Sequence, residues 1–309
     1  MTSPSGASPG GASPGGASQV RGLKRLLEGG VPVHAPLVLN PLMARLAAAT
    51  GFPALYLGGG AMGYLSCFTE ANLTLTEMVH AGLEIRAACD LPLILDAACG
   101  WGDPMHLRRT IPLAEEAGFA AIEIEDQILP KRAHHHVGIE HLIDADLMVA
   151  KVAEAVAARR HPDFLIIART NAVRDISMDE ALRRGEAMAR AGADLLFITA
   201  RRPEEHRIIA ERLPGPLLHM HLPGGPHDRI PVPELFRMGF RLFVDPVTPL
   251  LAMHRALRDS YVALHAGRPD PLVGEDPGAE QERMHATIRL ESLLAIERRT
   301  VEHPPSAGS

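Results

Sequence analysis

The stretch Glu115-Glu116-Ala117-Gly118-Phe119-Ala120-Ala121-Ile122-Glu123-Ile124-Glu125-Asp126-Gln127-Ile128-Leu129-Pro130-Lys131-Arg132-Ala133-His134-His135-His136 decides how the chain is read. It begins as the end of a helix, which Gly118 closes by supplying the left-handed cap that other residues resist. The run Ala121 to Ile124 then reads as a strand buried on both faces, as a parallel sheet requires. Two acids, a Lys-Arg pair and three histidines follow it into a loop. Ligands of parallel α/β sheets bind outside the carboxyl ends of the strands, so a site is expected here, against the plainer reading of a solvated loop.

Working outward, the same helix, glycine, strand punctuation returns at Gly51 before Ala54 to Leu57, at Ala191-Gly192 before Leu195 to Ile198, and at Met238-Gly239 before Leu242 to Val244. Leu37-Val38-Leu39, Leu93-Ile94-Leu95, Leu165-Ile166-Ile167 and Leu217-Leu218 complete the set. Eight strands alternating with helices over roughly 230 residues predict a (β/α)₈ TIM-type barrel, an α/β fold, with an open doubly wound sheet as the alternative. No GxGxxG follows the first strand, and Gly58-Gly59-Gly60 alone is weak support for dinucleotide binding.

The domain plan follows from that frame. Residues 1–18 form a Gly/Ala/Ser/Pro-rich tail with no large apolar side chain and are expected to be disordered. The barrel domain spans 19–266, opening with a short helix from Val20 to Gly29-Gly30 and ending with a long helix from Thr248 to about Ala266. A Pro/Gly-rich linker covers 267–278, one C-terminal helix falls within 279–302, and a tail closes the chain at 303–309.

The 309 residues carry 22% charged side chains and a formal charge of -6. That mild acidic excess, with no basic stripe, argues against nucleic acid, because neutralising phosphates needs clustered Lys and Arg. Cys67, Cys89 and Cys99 have no CxxC spacing, so neither a disulfide framework nor a zinc knuckle is expected, and a reducing cytoplasm fits best. No window reaches the apolar run of about 18 residues that a membrane span needs.

Strand ends should collect reactive groups. Asp96 ends the third strand, Glu125 the fourth, Arg169 with Thr170-Asn171 the fifth, and Thr199 to Arg202 follow the sixth. Two carboxylates on neighbouring strands suit Mg²⁺, or Mn²⁺ or another divalent ion, whose other positions take water and substrate oxygens. The alternative is a pair of acids salt-bridged to Arg169 or Lys131. The planar fork of Arg169 suits a substrate carboxylate. His219 and His221 share one face of the seventh strand and with Asp96 could form a two-His, one-carboxylate centre. Cys99 reads as a small buried thiol, since no base is assured beside it.

Several segments, in order, carry a resemblance: Leu39 to Leu46, Tyr56 to Gly60, Thr74 to Glu77, Leu91 to Asp96, Ile124 to Gln127, Pro130 to Arg132, Met148 to Lys151, Pro162 to Phe164 and Ile167 to Thr170. Together they resemble the isocitrate lyase and phosphoenolpyruvate mutase superfamily from about Leu37 to Ala266. The resemblance implies a barrel whose eighth helix is exchanged with a neighbouring subunit, in a homo-oligomer that is a dimer or tetramer. It also implies Mg²⁺, a small 2-oxo or 2-hydroxy (di)carboxylic acid as substrate, and a mobile loop that closes over the site after the fourth strand.

This chain departs from the pattern. The family's Asp-Ala-Asp metal motif reads Asp96-Ala97-Ala98, and its Lys-Arg-Cys-Gly-His loop reads Lys131-Arg132-Ala133-His134-His135. Thr199, Pro223 and Asn40 stand where acids are common, and Met220 stands where an asparagine is common. If Met220 faces the substrate, His219 and His221 turn toward the helices. The expected roles are then metal binding by Asp96 and Glu125, substrate binding by Tyr56, Gly58, Gly59, Gly60, Asp96 and Arg169, and catalysis by Lys131, Arg132, His135 and Arg169. Gly59 and Gly60 would donate to a carboxylate, and His135 would replace the missing cysteine as general acid. The expected reaction is carbon–carbon lysis or decarboxylation through an enolate. Phosphorylmutase-like or phosphonate-processing chemistry, and an inactive binding barrel, are the rivals.

Overall fold

The structure is a computed structural model and describes residues 22–200, 202–222, 224 and 229–302. The expected tails and the start of the helix at Val20 lie outside the described residues. Eight strands form one parallel sheet: β1 (Val33–Pro36), β2 (Leu55–Leu57), β3 (Leu93–Asp96), β4 (Ala121–Glu125), β5 (Leu165–Thr170), β6 (Leu195–Ile198), β7 (Leu217–Met220) and β8 (Phe240–Asp245). The order runs β1-β8-β7-β6-β5-β4-β3-β2, and the two ends meet where Leu37 bridges Tyr56 in parallel and Val38 donates its N–H to the Tyr56 carbonyl at 2.9 Å. The sheet therefore rolls into a (β/α)₈ barrel, and the open-sheet alternative falls.

The first strand sits earlier than expected. It pairs with β8 from Val33↔Leu242 to Pro36↔Asp245, and the run Leu37 to Leu39 follows it, with Leu37 and Val38 making the closing contacts to Tyr56. His34 and Pro36 broke the apolar pattern and hid the strand.

Side-chain alternation divides the core. Tyr56, Ile94, Ala121, Ile167, Phe197, Leu218, Leu242 and Val244 fill the barrel, while Leu57, Leu95, Ile122, Ile124, Ile166 and Ile198 pack outward on the helices. Each fully buried aliphatic side chain contributes about 1.5–3 kcal/mol, and both faces being dry explains why the strands read as continuous apolar runs. Helix α1 (residues 22–27) sends Leu23 and Leu27 into the inner cluster and closes the amino-terminal end of the barrel.

Around the barrel lie α2 (Pro41–Ala49), α3 (Gly59–Leu65), α4 (Leu75–Ala88), α5 (Pro104–Glu116), α6 (Ala145–Ala158), α7 (Ala172–Asp175), α8 (Met178–Arg190), α9 (Pro203–Arg212) and α10 (Val232–Met238). The eighth barrel helix, α11 (Thr248–His265), behaves differently: it buries only Leu250 and Ala263 and leaves Leu251, Tyr261, Val262 and Leu264 exposed. The expected single C-terminal helix is two, α12 (Gly278–Ile288) and α13 (Leu290–Thr300), divided at Arg289 with φ 59°. No glycine or proline marks that break, and Arg45 reaches across to the Thr287 carbonyl at 3.1 Å near the end of α12.

Candidate active site

The carboxyl ends of β2 to β5 bring their inward residues into one cluster. Asp96 lies beside Glu123 in the β3–β4 register, and Glu125 beside Arg169 in the β4–β5 register. All four are buried or nearly so. Asp96 is held by backbone: its Oδ2 accepts from the Gly59 N–H at 3.0 Å and its Oδ1 from the Ala98 N–H at 3.0 Å. Ala98 adopts φ 46°, a left-handed conformation that costs a non-glycine residue about 1 kcal/mol or more and turns its N–H back onto the acid. This corrects one expectation, because the Gly59 N–H is committed to Asp96 and not to a substrate. Burial pushes the Asp96 carboxyl up, and the nearby Glu70 charge adds to it.

Glu125 has several partners. Lys131 bridges to its Oε1, while its Oε2 accepts from Asn171 Nδ2 at 2.8 Å and lies 3.3 Å from Arg169 Nε. Burial alone would raise this carboxyl, but the Lys131 and Arg169 charges hold it below the usual range. Lys131 also contacts Glu70 Oε1 at 2.5 Å. Burial opposes the Lys131 charge, yet Glu125 and Glu70 raise its pKa above the ordinary lysine value.

Glu70 was missed by sequence reasoning. It sits on a single 3₁₀ turn, Glu70–Asn72, pressed against α3 at Gly63, where an added Cβ would lie 2.5 Å from the Glu70 nitrogen. Only glycine permits that approach. Burial would raise the Glu70 carboxyl, but His135 and Lys131 bring it down to about 2.

Arg169 lies among fixed partners. Nε and Nη2 donate to Asn171 Oδ1, each at 3.3 Å, Nη1 donates to Glu123 Oε1 at 3.0 Å, and the guanidinium lies 4.9 Å over the Phe197 ring. Glu123 is 1% exposed and also accepts from the Tyr56 hydroxyl at 3.0 Å through Oε2. Burial, helped by the Asp96 charge, pushes the Glu123 carboxyl up to about 7 against the pull of Arg169. Tyr56 was expected to touch substrate; its hydroxyl instead braces Glu123 inside the barrel.

The loop after β4 covers this floor. His135 Nε2 lies 2.7 Å from Glu70 Oε1, and its Nδ1 lies 2.6 Å from the Arg132 carbonyl. Burial works against its charge, but Glu70 and the Arg132 carbonyl raise its pKa. His136 stands between Tyr64, at 2.8 Å from the hydroxyl, and Thr69, at 2.9 Å from Oγ1, while His134 pairs with His141 at 3.0 Å. The Arg132 side chain is exposed. A cavity of ≈ 370 Å³ lined by Glu70, Ala98, Cys99, Trp101, Leu129 and Lys131 opens beside the cluster.

Other candidates fall outside the cluster or serve the fold. Asn40 caps α2, accepting the Met43 N–H at 3.0 Å, and Thr199 donates to Asn171 Oδ1 at 2.9 Å. His219 packs against Phe240, Phe243 and His206 on the outer face of the barrel, so no centre with Asp96 forms, and burial takes its pKa down to about 3. Met220 packs with the inner cluster, as alternation requires. Cys99 is buried, which pushes its thiol pKa up, and the Cys99 carbonyl accepts from the buried Lys151 at 2.5 Å. Asp126 ties β4 to β5 and α8 by accepting from Thr170 Oγ1, the Asn171 N–H and Arg184 Nη1. Arg201 and Pro223 lie outside the described residues, and Arg202 pairs with Glu205 at 2.8 Å.

Among the described residues, no three His, Cys, Asp or Glu side chains form a ready-made metal cage. Yet four acids, Glu70, Asp96, Glu123 and Glu125, face two fixed cations, Lys131 and Arg169, in a buried space. Asp96 makes no ion pair among the described residues and keeps lone pairs beyond those taken by the two N–H groups. Such a donor set fits a hard divalent cation that takes one or two protein carboxylates and completes its shell with water and substrate.

Residues 23–265 match the family described as phosphoenolpyruvate phosphomutase. The chain is 33% identical to the 2,3-dimethylmalate lyase of Eubacterium barkeri over 290 residues, covering 93% of this chain and 98% of that protein. It is 38% identical to the 2-methylisocitrate lyase of Aeropyrum pernix over 236 residues, 76% of each chain. The phosphoenolpyruvate phosphomutase structure from Streptomyces platensis subsp. rosaceus superimposes with a TM-score of 0.84 at 28% identity, covering 92% of this chain and 100% of the other. No helix among the described residues is long and apolar enough to cross a membrane.

Proposed function

The chain belongs to the phosphoenolpyruvate phosphomutase family, and from that premise we propose that it is a metal-dependent carbon–carbon lyase or decarboxylase acting on a small 2-oxo or 2-hydroxy (di)carboxylic acid. The observation that carries this reading is Asp96, a buried carboxylate oriented by two backbone N–H groups within a surplus of buried acids. A divalent cation such as Mg²⁺, held by Asp96 with Glu125 reaching it through water, would supply a Lewis acid for the negative charge of an enolate oxygen. Gly59 and Ala98 hold Asp96 in place, so little reorganisation is needed when that charge develops.

Arg169 pairs with a substrate carboxylate through N–H groups that Asn171 and Glu123 do not use. Lys131, pinned between Glu125 and Glu70, sets the electrostatic level of the mouth. His135 donates the proton that the enolate carbon takes up, through Nε2 once that nitrogen leaves Glu70 Oε1, and regains one from solvent; Glu70 keeps it charged until then. The loop carrying His135 excludes water when it lies over the floor. No cysteine is needed on this route.

The active form is a homo-oligomer in which α11 packs on a neighbouring copy. Its exposed Leu251, Tyr261, Val262 and Leu264 support that assembly, as does a ≈ 300 Å³ cavity on the outer barrel flank lined by His34, Phe52, His221 and Phe243.

The test is a turnover screen of 2-oxo and 2-hydroxy dicarboxylic acids with Mg²⁺ or Mn²⁺, and again with chelator. Metal-dependent release of a 2-oxo acid or CO₂ supports the reading. Phosphorus NMR that showed phosphoryl migration or phosphonate cleavage instead would replace it with the phosphorylmutase rival. Absence of divalent-ion binding, with and without oxalate, would leave a binding barrel.

A further inference from the structure

Glu123 has no part in the chemistry outlined above, yet it is the deepest acid of the cluster. The barrel around it is otherwise apolar, built from Ile94, Ile167, Leu218, Leu242 and Val244. An aliphatic side chain at this position would avoid the several kcal/mol that burying a carboxylate costs. Its contacts show what the acid accomplishes. Oε2 accepts from the Tyr56 hydroxyl at 3.0 Å and Oε1 accepts from Arg169 Nη1 at 3.0 Å, both within the buried interior. Tyr56 is 1% exposed, and the one hydrogen bond of its hydroxyl among the described residues is the one that fixes Glu123.

We infer that Glu123, braced by Tyr56, is a positioning residue that sets the orientation of the Arg169 guanidinium toward the carboxylate of the substrate. The inference rests on the reading of Arg169 as the carboxylate-binding group. Arg169 has a second acid beside it, since Glu125 Oε2 lies 3.3 Å from Nε. With Glu125 as its only acidic partner, the fork would turn up onto that acid and be consumed by it. Glu123 pulls Nη1 toward the barrel interior, Asn171 holds Nε and Nη2, and the Phe197 ring at 4.9 Å sets the plane. Arginine has five N–H groups, so among the described residues one N–H on each terminal nitrogen remains for a planar, two-oxygen ligand.

The probe is oxalate, titrated by calorimetry into the full-length protein with saturating Mg²⁺. Glu123→Ala is expected to weaken oxalate binding about 10–100-fold, the worth of a hydrogen bond to a charged group. Glu123→Gln is expected to recover most of that loss, because its amide oxygen still accepts from Nη1 and its NH₂ meets the Tyr56 oxygen. Tyr56→Phe should fall between the two. In an Arg169→Ala background, Glu123→Ala should cost nothing further. Thermal melts of every variant identify those that lose the fold, and Glu123→Gln and Tyr56→Phe keep the question open to decision if Glu123→Ala does not fold. Wild-type affinity in Glu123→Ala, or an equal loss with and without Arg169, would overturn the assignment. If the wild-type protein itself fails to bind oxalate, the reading of the site falls first and this one with it.

Discussion

The floor of the site and the loop above it hold their charges by different means. On the floor, Asp96, Glu123, Glu125 and Arg169 stand on adjacent strands, and each has partners fixed by sheet register or by backbone N–H groups. Above it, the loop tip is held down by side chains: Lys131 on Glu125 and Glu70, His135 on Glu70, and His136 on Tyr64 and Thr69. The floor is therefore preorganised for charge, whereas the loop is a latch with a few separable rungs. Glu70 joins the two regions, since it faces Gly59 and Asp96 on one side and the loop on the other.

Lys131 is the rung whose loss should matter most. Lys131→Met leaves Glu70 and Glu125 buried without their shared cation, and removing one partner of a buried pair costs about 3–5 kcal/mol. Urea unfolding should show a loss of that order together with lost turnover, whereas a loss below about 1 kcal/mol would mean that the pair is solvated.

Glu70→Gln tests the joint between floor and latch. It removes the charge that both Lys131 and His135 use, so limited proteolysis within residues 132–139 should accelerate about tenfold or more, with the barrel melt changed less. Equal effects on loop and barrel would contradict the division.

The latch should also respond to pH. His135 has a pKa raised above 6.5 when the loop is closed, so its stabilising charge is fully present below pH 6.5 and is lost as pH rises through the raised value. Glu70, brought from 4.5 to about 2, contributes above pH 4.5 and loses its contribution as pH falls toward 2. Loop protection, read by proteolysis or amide exchange, should therefore be greatest between those limits and decline on the alkaline side, and His135→Gln should abolish the alkaline decline. Protection that rose through the alkaline range would contradict the assignment.

The smallest effect is expected at the outer histidines. His219→Phe should leave Mg²⁺ and oxalate binding unchanged in calorimetry, because His219 packs on Phe240 and Phe243 away from the mouth. Weakened metal binding would place the ion elsewhere.

Much of the fold was legible because a barrel strand buried on both faces leaves an uninterrupted apolar signature, and Gly118, Gly192 and Gly239 mark helix ends with positive φ. The first strand escaped because His34 and Pro36 interrupt that signature, and the break at Arg289 carries no local signal. Within the site, Asp96, Glu125 and Arg169 were readable as charges at strand ends and Lys131 as one in the loop beyond. Glu70 was not, since its place depends on how Gly63 lets a turn press against α3, a contact between segments that no periodicity encodes. The direction of Tyr56 was equally hidden: strand alternation says that it points inward but not that an acid waits there at 3.0 Å.

The most direct measurement is calorimetric titration of Mg²⁺ into the wild-type protein and Asp96→Asn, each with and without oxalate. The account predicts a binding isotherm for the wild type that oxalate strengthens, and none for Asp96→Asn at the same fold stability. Equal binding by the two proteins would contradict it.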